Sequence, residues 1–256
     1  MTVLCDLDGV IYRGPQTLPG VEPALERLRD SGVPVLFITN NSTRTPHATA
    51  EKISGLTGVP VEAGQVLTSS LAAMTLLDAS DDPVLVVGED GVRFAVEEAG
   101  LTITEDPAAA RAVVVGLTRS LTYGLVTAAM RAIMNGARFI ATNDDTTFPT
   151  EHGLAPGSGA IVAAIAAASG AQPEVAGKPN KAMKDLIRSK VGGEAWIIGD
   201  RLNTDIALAA GEPGWHSILV LTGVSDGEAG ANGAADFVVD DFPAAVDLVL
   251  GHLQQS

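Results

Sequence analysis

Near its start the chain carries Asp6-Leu7-Asp8-Gly9, two carboxylates two positions apart, directly after the apolar run Thr2–Cys5. In extended backbone, residues two apart point to the same side. Like charges held that close oppose each other's ionisation unless a cation joins them. A hard divalent ion such as magnesium takes carboxylate oxygens, so Asp6 and Asp8 suit metal-assisted chemistry. The same stretch also suits an Asp-Gly turn with a capping aspartate.

Three more polar clusters follow apolar runs or precede helical patterns. Thr39-Asn40-Asn41-Ser42-Thr43-Arg44-Thr45-Pro46 follows Val35–Ile38 and gathers hydroxyls and amides. Thr45 fits a helix N-cap and Pro46 the first helical position. That arrangement suits an anion such as phosphate at a helix N-terminus, or simply a capped loop. In Gly177-Lys178-Pro179 the proline biases Lys178 toward extended backbone. Its ammonium is either a local cation or an ordinary solvated charge. Gly199-Asp200-Arg201-Leu202-Asn203-Thr204-Asp205 follows Trp196-Ile197-Ile198 and adds two carboxylates across a glycine-initiated loop. Taken singly, each cluster also reads as a loop. Together they assemble four aspartates, a lysine and neutral donors, an inventory that fits metal-assisted phosphoryl transfer better than a structural role.

The elements that must position these clusters alternate along the chain. Strands are expected at Thr2–Cys5, Val33–Ile38, Val84–Val87, Ala112–Val115, Phe139–Ala141, Ala195–Ile198 and Ser217–Leu221. Their hydrophobicity is mostly continuous, the pattern of parallel strands covered on both faces. Helices are expected at Val21–Asp30, Pro46–Gly55, Tyr123–Asn135, Gly159–Ser169 and Lys181–Lys190. This βαβ rhythm implies an α/β fold with right-handed crossovers, whose ligands bind beyond the carboxyl ends of the strands. Polar breakers at Ala79-Ser80-Asp81-Asp82-Pro83 and Gly170-Ala171-Gln172-Pro173-Glu174 bracket a middle unit. The expected organisation is a first domain of residues 1–79 and 175–256, with a complete α/β domain, 80–174, inserted into it.

Composition narrows the function classes. The 256 residues suffice for a sizeable core, and 46% are hydrophobic with only 4% aromatic, so the core is aliphatic. A net charge of −15 makes the chain a poor general binder of nucleic acid or anionic membranes. An anionic substrate then needs a local cation. One cysteine, Cys5, excludes an intrachain disulfide and reads as a small core residue. The first residues lack a basic, apolar leader, and the apolar run Ala160–Ala168 is too short to span a bilayer, so a cytoplasmic protein is expected.

The ordered set "DLDGV", "TNN", "GKP" and "GDRLNTD" resembles the haloacid dehalogenase (HAD) superfamily over essentially the whole chain. The insertion and its "ATNDDTTFPTEHGLAPGSGA" resemble the large cap of the NagD-type branch, and "LVLTGV" is similar to that branch's terminal strand. The resemblance implies a Rossmann-like parallel-sheet HAD core with a large inserted α/β cap. It also implies a magnesium-dependent phosphatase acting on small phosphate monoesters through an aspartyl-phosphate. On that resemblance Asp6 is the nucleophile and Asp8 the general acid, later the base. Magnesium falls to the Asp6 carboxylate, the Asp8 backbone carbonyl and Asp200, with Asp205 bonding through water. Thr39 and Asn40, with Asn41 beside them, position the phosphate, and Lys178 neutralises its oxygens.

The cap contacts that follow are Asn143, Asp145 and Phe148, with Pro149, His152 and the Pro156–Gly159 turn as further candidates. Arg201, Asn203 and Arg44 either touch substrate or brace their loops. Glycerol 3-phosphate, phosphoglycolate, a sugar phosphate, a nucleoside monophosphate, pyridoxal phosphate and p-nitrophenyl phosphate all remain open as substrates. A phosphotransferase or a non-catalytic phosphate-ligand module on the same fold is the alternative. The branch also suggests a homodimer through the caps. Two departures stand out: Glu212-Pro213 after the fourth motif, and Asp144 where the branch commonly has proline.

Overall fold

The computed structural model describes residues 1–150, 153–223 and 233–254. From the N-terminus the chain forms β1 (Thr2–Cys5), a small hairpin of β2 (Tyr12–Arg13) and β3 (Gln16–Thr17), α1 (Val21–Asp30), β4 (Val35–Thr39), α2 (Pro46–Thr57), β5 (Val66–Thr68) and α3 (Ser69–Met74). The middle of the chain forms β6 (Val84–Val87), α4 (Asp90–Glu98), β7 (Ala112–Val115), α5 (Tyr123–Met134), β8 (Arg138–Ala141), the hairpin β9 (Thr147–Thr150) and β10 (Gly153–Pro156), α6 (Ser158–Ser169) and β11 (Glu174–Val175). The last part forms α7 (Lys181–Arg188), β12 (Ala195–Gly199), β13 (Trp215–Val220), β14 (Phe237–Val239) and α8 (Phe242–Leu253).

Two compact units result. One holds Met1–Ile38, His47–Leu67 and Ile187–Ser256, and the other holds Thr39–Pro46 and Thr68–Leu186. The first is organised on a six-stranded sheet in the order β14-β13-β12-β1-β4-β5. β1 lies inside it, parallel to β12 on one side and to β4 on the other, and Val3, Leu4 and Cys5 are fully buried. A strand covered on both faces has no polar side to show, which explains its unbroken apolar sequence. α1 closes one face with Val21, Ala24, Leu25 and Leu28, the i, i+3, i+4, i+7 stripe of an amphipathic helix. Arg27 and Arg29 sit in its last turn, where cations favour the helix dipole, and Gly32 follows in the left-handed region at φ 69°. Each fully buried aliphatic side chain of this kind contributes about 1.5–3 kcal/mol.

The second unit is built on a separate four-stranded parallel sheet in the order β11-β8-β7-β6. Val84–Val87 and Ala112–Val115 are buried throughout, and α5 and α6 cover them through Ala129, Ala132, Ile133, Ile161, Val162 and Ile165. Arg138 at the start of β8 reaches Glu174 at 2.7 Å and Asp81 at 2.9 Å. The Glu174 hydrogen bond, opposed in part by burial and reinforced by Asp81, holds the guanidinium proton above its ordinary affinity. Among the described residues no helix is long and apolar enough to cross a membrane.

The α/β class with parallel sheets is as the sequence reads, and several elements differ in extent. β4 starts later than Val33, and α7 stops at Arg188 rather than Lys190. The apolar stretch resembling a terminal strand is internal instead: β13 ends at Val220, and β14 adds the edge strand beyond it. After the fourth motif the helix ends at Ala209, and Gly211, at φ 76°, turns the chain through Glu212 and Pro213. Glu212 accepts a hydrogen bond from Arg188 Nη2 at 2.5 Å.

Candidate active site

In the first unit, β1 and β12 are adjacent with Cys5 opposite Ile198, so their carboxyl ends deliver Asp6 and Asp200 side by side. The Asp6 backbone N–H donates to the Ile198 carbonyl at 2.9 Å, which fixes the start of the loop. Beyond Asp200 the chain winds into a π-helical turn, Leu202–Ile206. There the N–H groups of Asp205 and Ile206 both donate to the Arg201 carbonyl at 3.1 Å. Such single wide turns are frequent at functional sites. This one swings Asp205 back over β12, and the Arg201 N–H donates to Asp205 Oδ2 at 3.2 Å.

The outcome is a cluster of three carboxylates. Oxygens of Asp6, Asp200 and Asp205 lie within 4.8 Å of one another. All three residues are buried, at 7%, 1% and 1% exposure. Three buried like charges at that range are unfavourable unless a cation is shared. An all-oxygen carboxylate set fits a hard divalent ion such as magnesium and offers nothing to soft metals. The loops are also shaped to bring these groups together. Gly9 sits at φ 90°, and a Cβ there would lie 2.7 Å from Asp200 Oδ2, so only glycine permits this approach.

Asp8, expected beside Asp6, is exposed in the same loop, with the Gly9 N–H donating to the Tyr12 carbonyl at 2.9 Å. Arg201 is half-buried and Asn203 exposed on the π-turn.

The second unit holds the remaining motif residues: Lys178 after β11, Asn143 and Asp145 after β8, and Thr39–Asn41 at the end of β4. Lys178 follows β11 and is 3% exposed. Its backbone N–H donates to Asn40 Oδ1 at 2.8 Å. Asn40 Nδ2 in turn donates to Asp145 Oδ2 at 3.2 Å and to the Lys178 carbonyl at 3.3 Å. Asn143, after β8, donates from Nδ2 to the Asn40 carbonyl at 2.7 Å. Thr39 is buried and accepts the Asn41 N–H on Oγ1 at 3.1 Å. The Asn41 side chain accepts from Thr43 N and Oγ1 at 2.9 and 2.8 Å, so it shapes the loop.

Phe148 lies on β9, with the Arg119 guanidinium 5.9 Å from its ring centroid. The Pro156–Gly159 turn docks on the 144–147 backbone: Gly157 N–H donates to the Thr146 carbonyl and Gly159 N–H to the Asp145 carbonyl, at 2.8 and 2.9 Å. His152 lies outside the described residues.

Arg119 was not singled out in the sequence. It stands in the loop after β7 and pairs with Glu89, after β6, at 3.0 and 2.9 Å. Both residues follow apolar strand runs, Glu89 after Val84–Val87 and Arg119 after Ala112–Val115, the same placement that marks the motif residues of the first sheet.

Two family descriptions match the chain: "Haloacid dehalogenase-like hydrolase" over residues 3–102 and "HAD-hydrolase-like" over residues 175–245. A 5'-nucleotidase of Bacillus subtilis is 40% identical over 88% of each chain. The crystal structure of a hypothetical protein from Pyrococcus horikoshii matches with a TM-score of 0.90 and 38% identity, covering 97% of this chain and 100% of that one. The glycerol phosphate phosphatase of Mycobacterium tuberculosis, crystallised in complex with magnesium, matches with a TM-score of 0.88 and 33% identity, covering 96% of this chain and 75% of that one.

Proposed function

Since this chain belongs to the haloacid dehalogenase-like hydrolases, we propose that it is a magnesium-dependent phosphatase that hydrolyses small phosphate monoesters through a phosphorylated Asp6. The observation that carries this is the buried trio of Asp6, Asp200 and Asp205, with oxygens within 4.8 Å of one another. Relatives named as a 5'-nucleotidase and a glycerol phosphate phosphatase support the substrate class, and their difference leaves the individual ester open.

Asp6, Asp200 and Asp205 would hold magnesium, together with the Asp8 backbone carbonyl that the family resemblance adds. Bound there, the ion supplies the positive charge that lets a carboxylate meet a phosphate dianion. A carboxylate oxygen of Asp6 attacks phosphorus, and the P–O bond to the leaving group breaks. Asp8 gives its proton to the departing oxygen. Water then attacks phosphorus of the aspartyl-phosphate and loses a proton to Asp8, and the Asp6–phosphate bond breaks to release inorganic phosphate. Lys178 neutralises phosphoryl oxygens throughout. Thr39 Oγ1 accepts the Asn41 N–H, which leaves its own hydroxyl proton available to donate to phosphate.

Residues 80–174 serve as the inserted specificity domain, with Phe148 toward the leaving group, while Asn143 is buried and holds the Asn40 and Asp145 backbones. Arg201 and Asn203 flank the metal loop. A dimer through this domain belongs to the same proposal; Tyr123, Leu154 and Met134, which are 90%, 75% and 66% exposed, supply apolar surface for it. The test is phosphate release from a panel of monoesters, with and without magnesium, in the wild type and Asp6→Asn. Magnesium-dependent release that vanishes in the variant supports the proposal. Release that ignores both removes it.

A further inference from the structure

Asn40 has spent its side chain. Its Oδ1 accepts the Lys178 N–H at 2.8 Å, and its Nδ2 donates to the Lys178 carbonyl at 3.3 Å and to Asp145 Oδ2 at 3.2 Å. A primary amide offers two N–H donors, and both are accounted for. The Asn40 carboxamide therefore grips the Lys178 backbone from both sides. The Lys178 N–H and carbonyl set which end of the carboxamide faces where, and the Asp145 carboxylate, which only accepts hydrogen bonds when ionised, reinforces that orientation as a third anchor. Asp145 holds the NH2 end in place with a charge-assisted bond while the oxygen takes the Lys178 N–H.

The surroundings tighten this arrangement. Asn143 anchors both ends of the link, donating to the Asn40 carbonyl at 2.7 Å and accepting the Asp145 N–H at 3.2 Å. Ser69 Oγ donates to the same Asn40 carbonyl at 2.7 Å. Gly177 leaves the room: a Cβ there would lie 2.6 Å from Asn40 Oδ1 and 2.7 Å from the Thr142 carbonyl.

We propose that Asp145 is a positioning residue for Lys178, acting through the Asn40 carboxamide, rather than a contact to the leaving group. The proposal rests on the assignment of Lys178 as the residue that neutralises the phosphoryl oxygens. Replacing Asp145 by Asn exchanges a charged acceptor for a neutral one that can also turn a donor toward the Asn40 NH2, so the carboxamide loses its third anchor and holds the Lys178 backbone more loosely. Asp145→Glu remains acceptor-only.

Inorganic phosphate is the discriminating probe, because it has no leaving group. With magnesium present, its affinity for the full-length chain is measured by calorimetry in the wild type, Asp145→Asn, Asp145→Glu, Asn40→Ala, the Asp145→Asn/Asn40→Ala double variant and Lys178→Met. Melting temperatures are read alongside. The expected result is a loss of roughly tenfold in Asp145→Asn, the scale of one hydrogen bond to a charged group. The double variant should be no weaker than Asn40→Ala alone, and Asp145→Glu should keep most of the wild-type affinity. Turnover of p-nitrophenyl phosphate and glycerol phosphate should fall by the same factor.

Unchanged phosphate affinity in Asp145→Asn, with losses of turnover that differ between the two esters, would overturn the proposal and make Asp145 a leaving-group contact. Full additivity in the double variant would also overturn it. Where Asp145→Asn melts lower than the wild type, Asn40→Ala carries the same test: unchanged phosphate affinity there overturns the link. Lys178→Met binding phosphate like the wild type would instead remove the assignment of Lys178, and the proposal with it.

Discussion

Asp205 packs against the backbone of Gly199 so closely that a Cβ on Gly199 would lie 2.5 Å from the Asp205 carboxyl carbon and 2.7 Å from Oδ2. The last residue of β12 is thus a glycine because the π-turn folds a carboxylate back onto it. Gly199→Ala should push Asp205 out of the trio. We expect the magnesium concentration for half-maximal activity to rise by more than tenfold, and stability to fall by about 1–3 kcal/mol from overpacking. A magnesium titration and a denaturant melt check this. An unchanged magnesium requirement would separate Asp205 from the cation.

Asp205→Asn should change stability in opposite ways with and without the metal. Removing one of three clustered charges relieves repulsion, so the metal-free variant should be more stable than the metal-free wild type by about 1–3 kcal/mol. The Asn side chain can still accept the Arg201 N–H. The stabilisation that magnesium confers should shrink, where the wild type at a hundredfold excess over Kd gains about 2.7 kcal/mol. Thermal melts with magnesium and with chelator measure both effects. A metal-free variant less stable than the wild type would mean that repulsion is not what the trio stores.

The middle unit should be sensitive to acid through two exposed aspartates. Asp78 accepts from the Ser80 hydroxyl and N–H, and Asp82 accepts from the Thr102 N–H and hydroxyl. The Ser80 side-chain bond chiefly, then its backbone bond, lowers the pKa of Asp78. The Thr102 backbone bond, then its hydroxyl, does the same for Asp82. A carboxylate with a depressed folded-state pKa stabilises fully above its unfolded value, and that contribution is lost as pH falls from there through the folded value. Stability should therefore decline as pH drops below about 3.9, the ordinary aspartate value. Asp78→Ala and Asp82→Ala should flatten that decline. Melting curves across the acid range decide it; variants that lose stability in parallel with the wild type would contradict it.

Much of this was legible in the sequence. β1 and α1 read at their observed bounds, because one is a short continuous apolar run and the other a clean helical stripe ended by glycine. Asp6 and Asp200 are legible from their places at the ends of apolar runs, and Asp205 from its place five residues on, near the start of the next helix. What stayed hidden had weaker local signals. β5 is three residues long, and β9–β10 carries Pro149 and Gly153, which spacing rules read as loop. β14 is a short edge strand with Phe237 and Val238 partly exposed, so no buried run announces it. The hydrogen bond between Asn40 and Lys178 spans 138 positions, and only the fold brings those residues together. For that reason Asn40 reads in sequence as a phosphate group's partner, while its side chain in the structure holds the lysine.

The claim on which everything else rests is that Asp6 becomes phosphorylated. Its most direct test is to mix the magnesium-loaded protein with p-nitrophenyl phosphate, quench in acid within the first turnover, and map the phosphate by mass spectrometry. A phosphate adduct is expected on the peptide containing Asp6, absent from Asp6→Asn, with p-nitrophenol released in the same turnover. Phosphate found on any other residue, or turnover retained in Asp6→Asn, would contradict it.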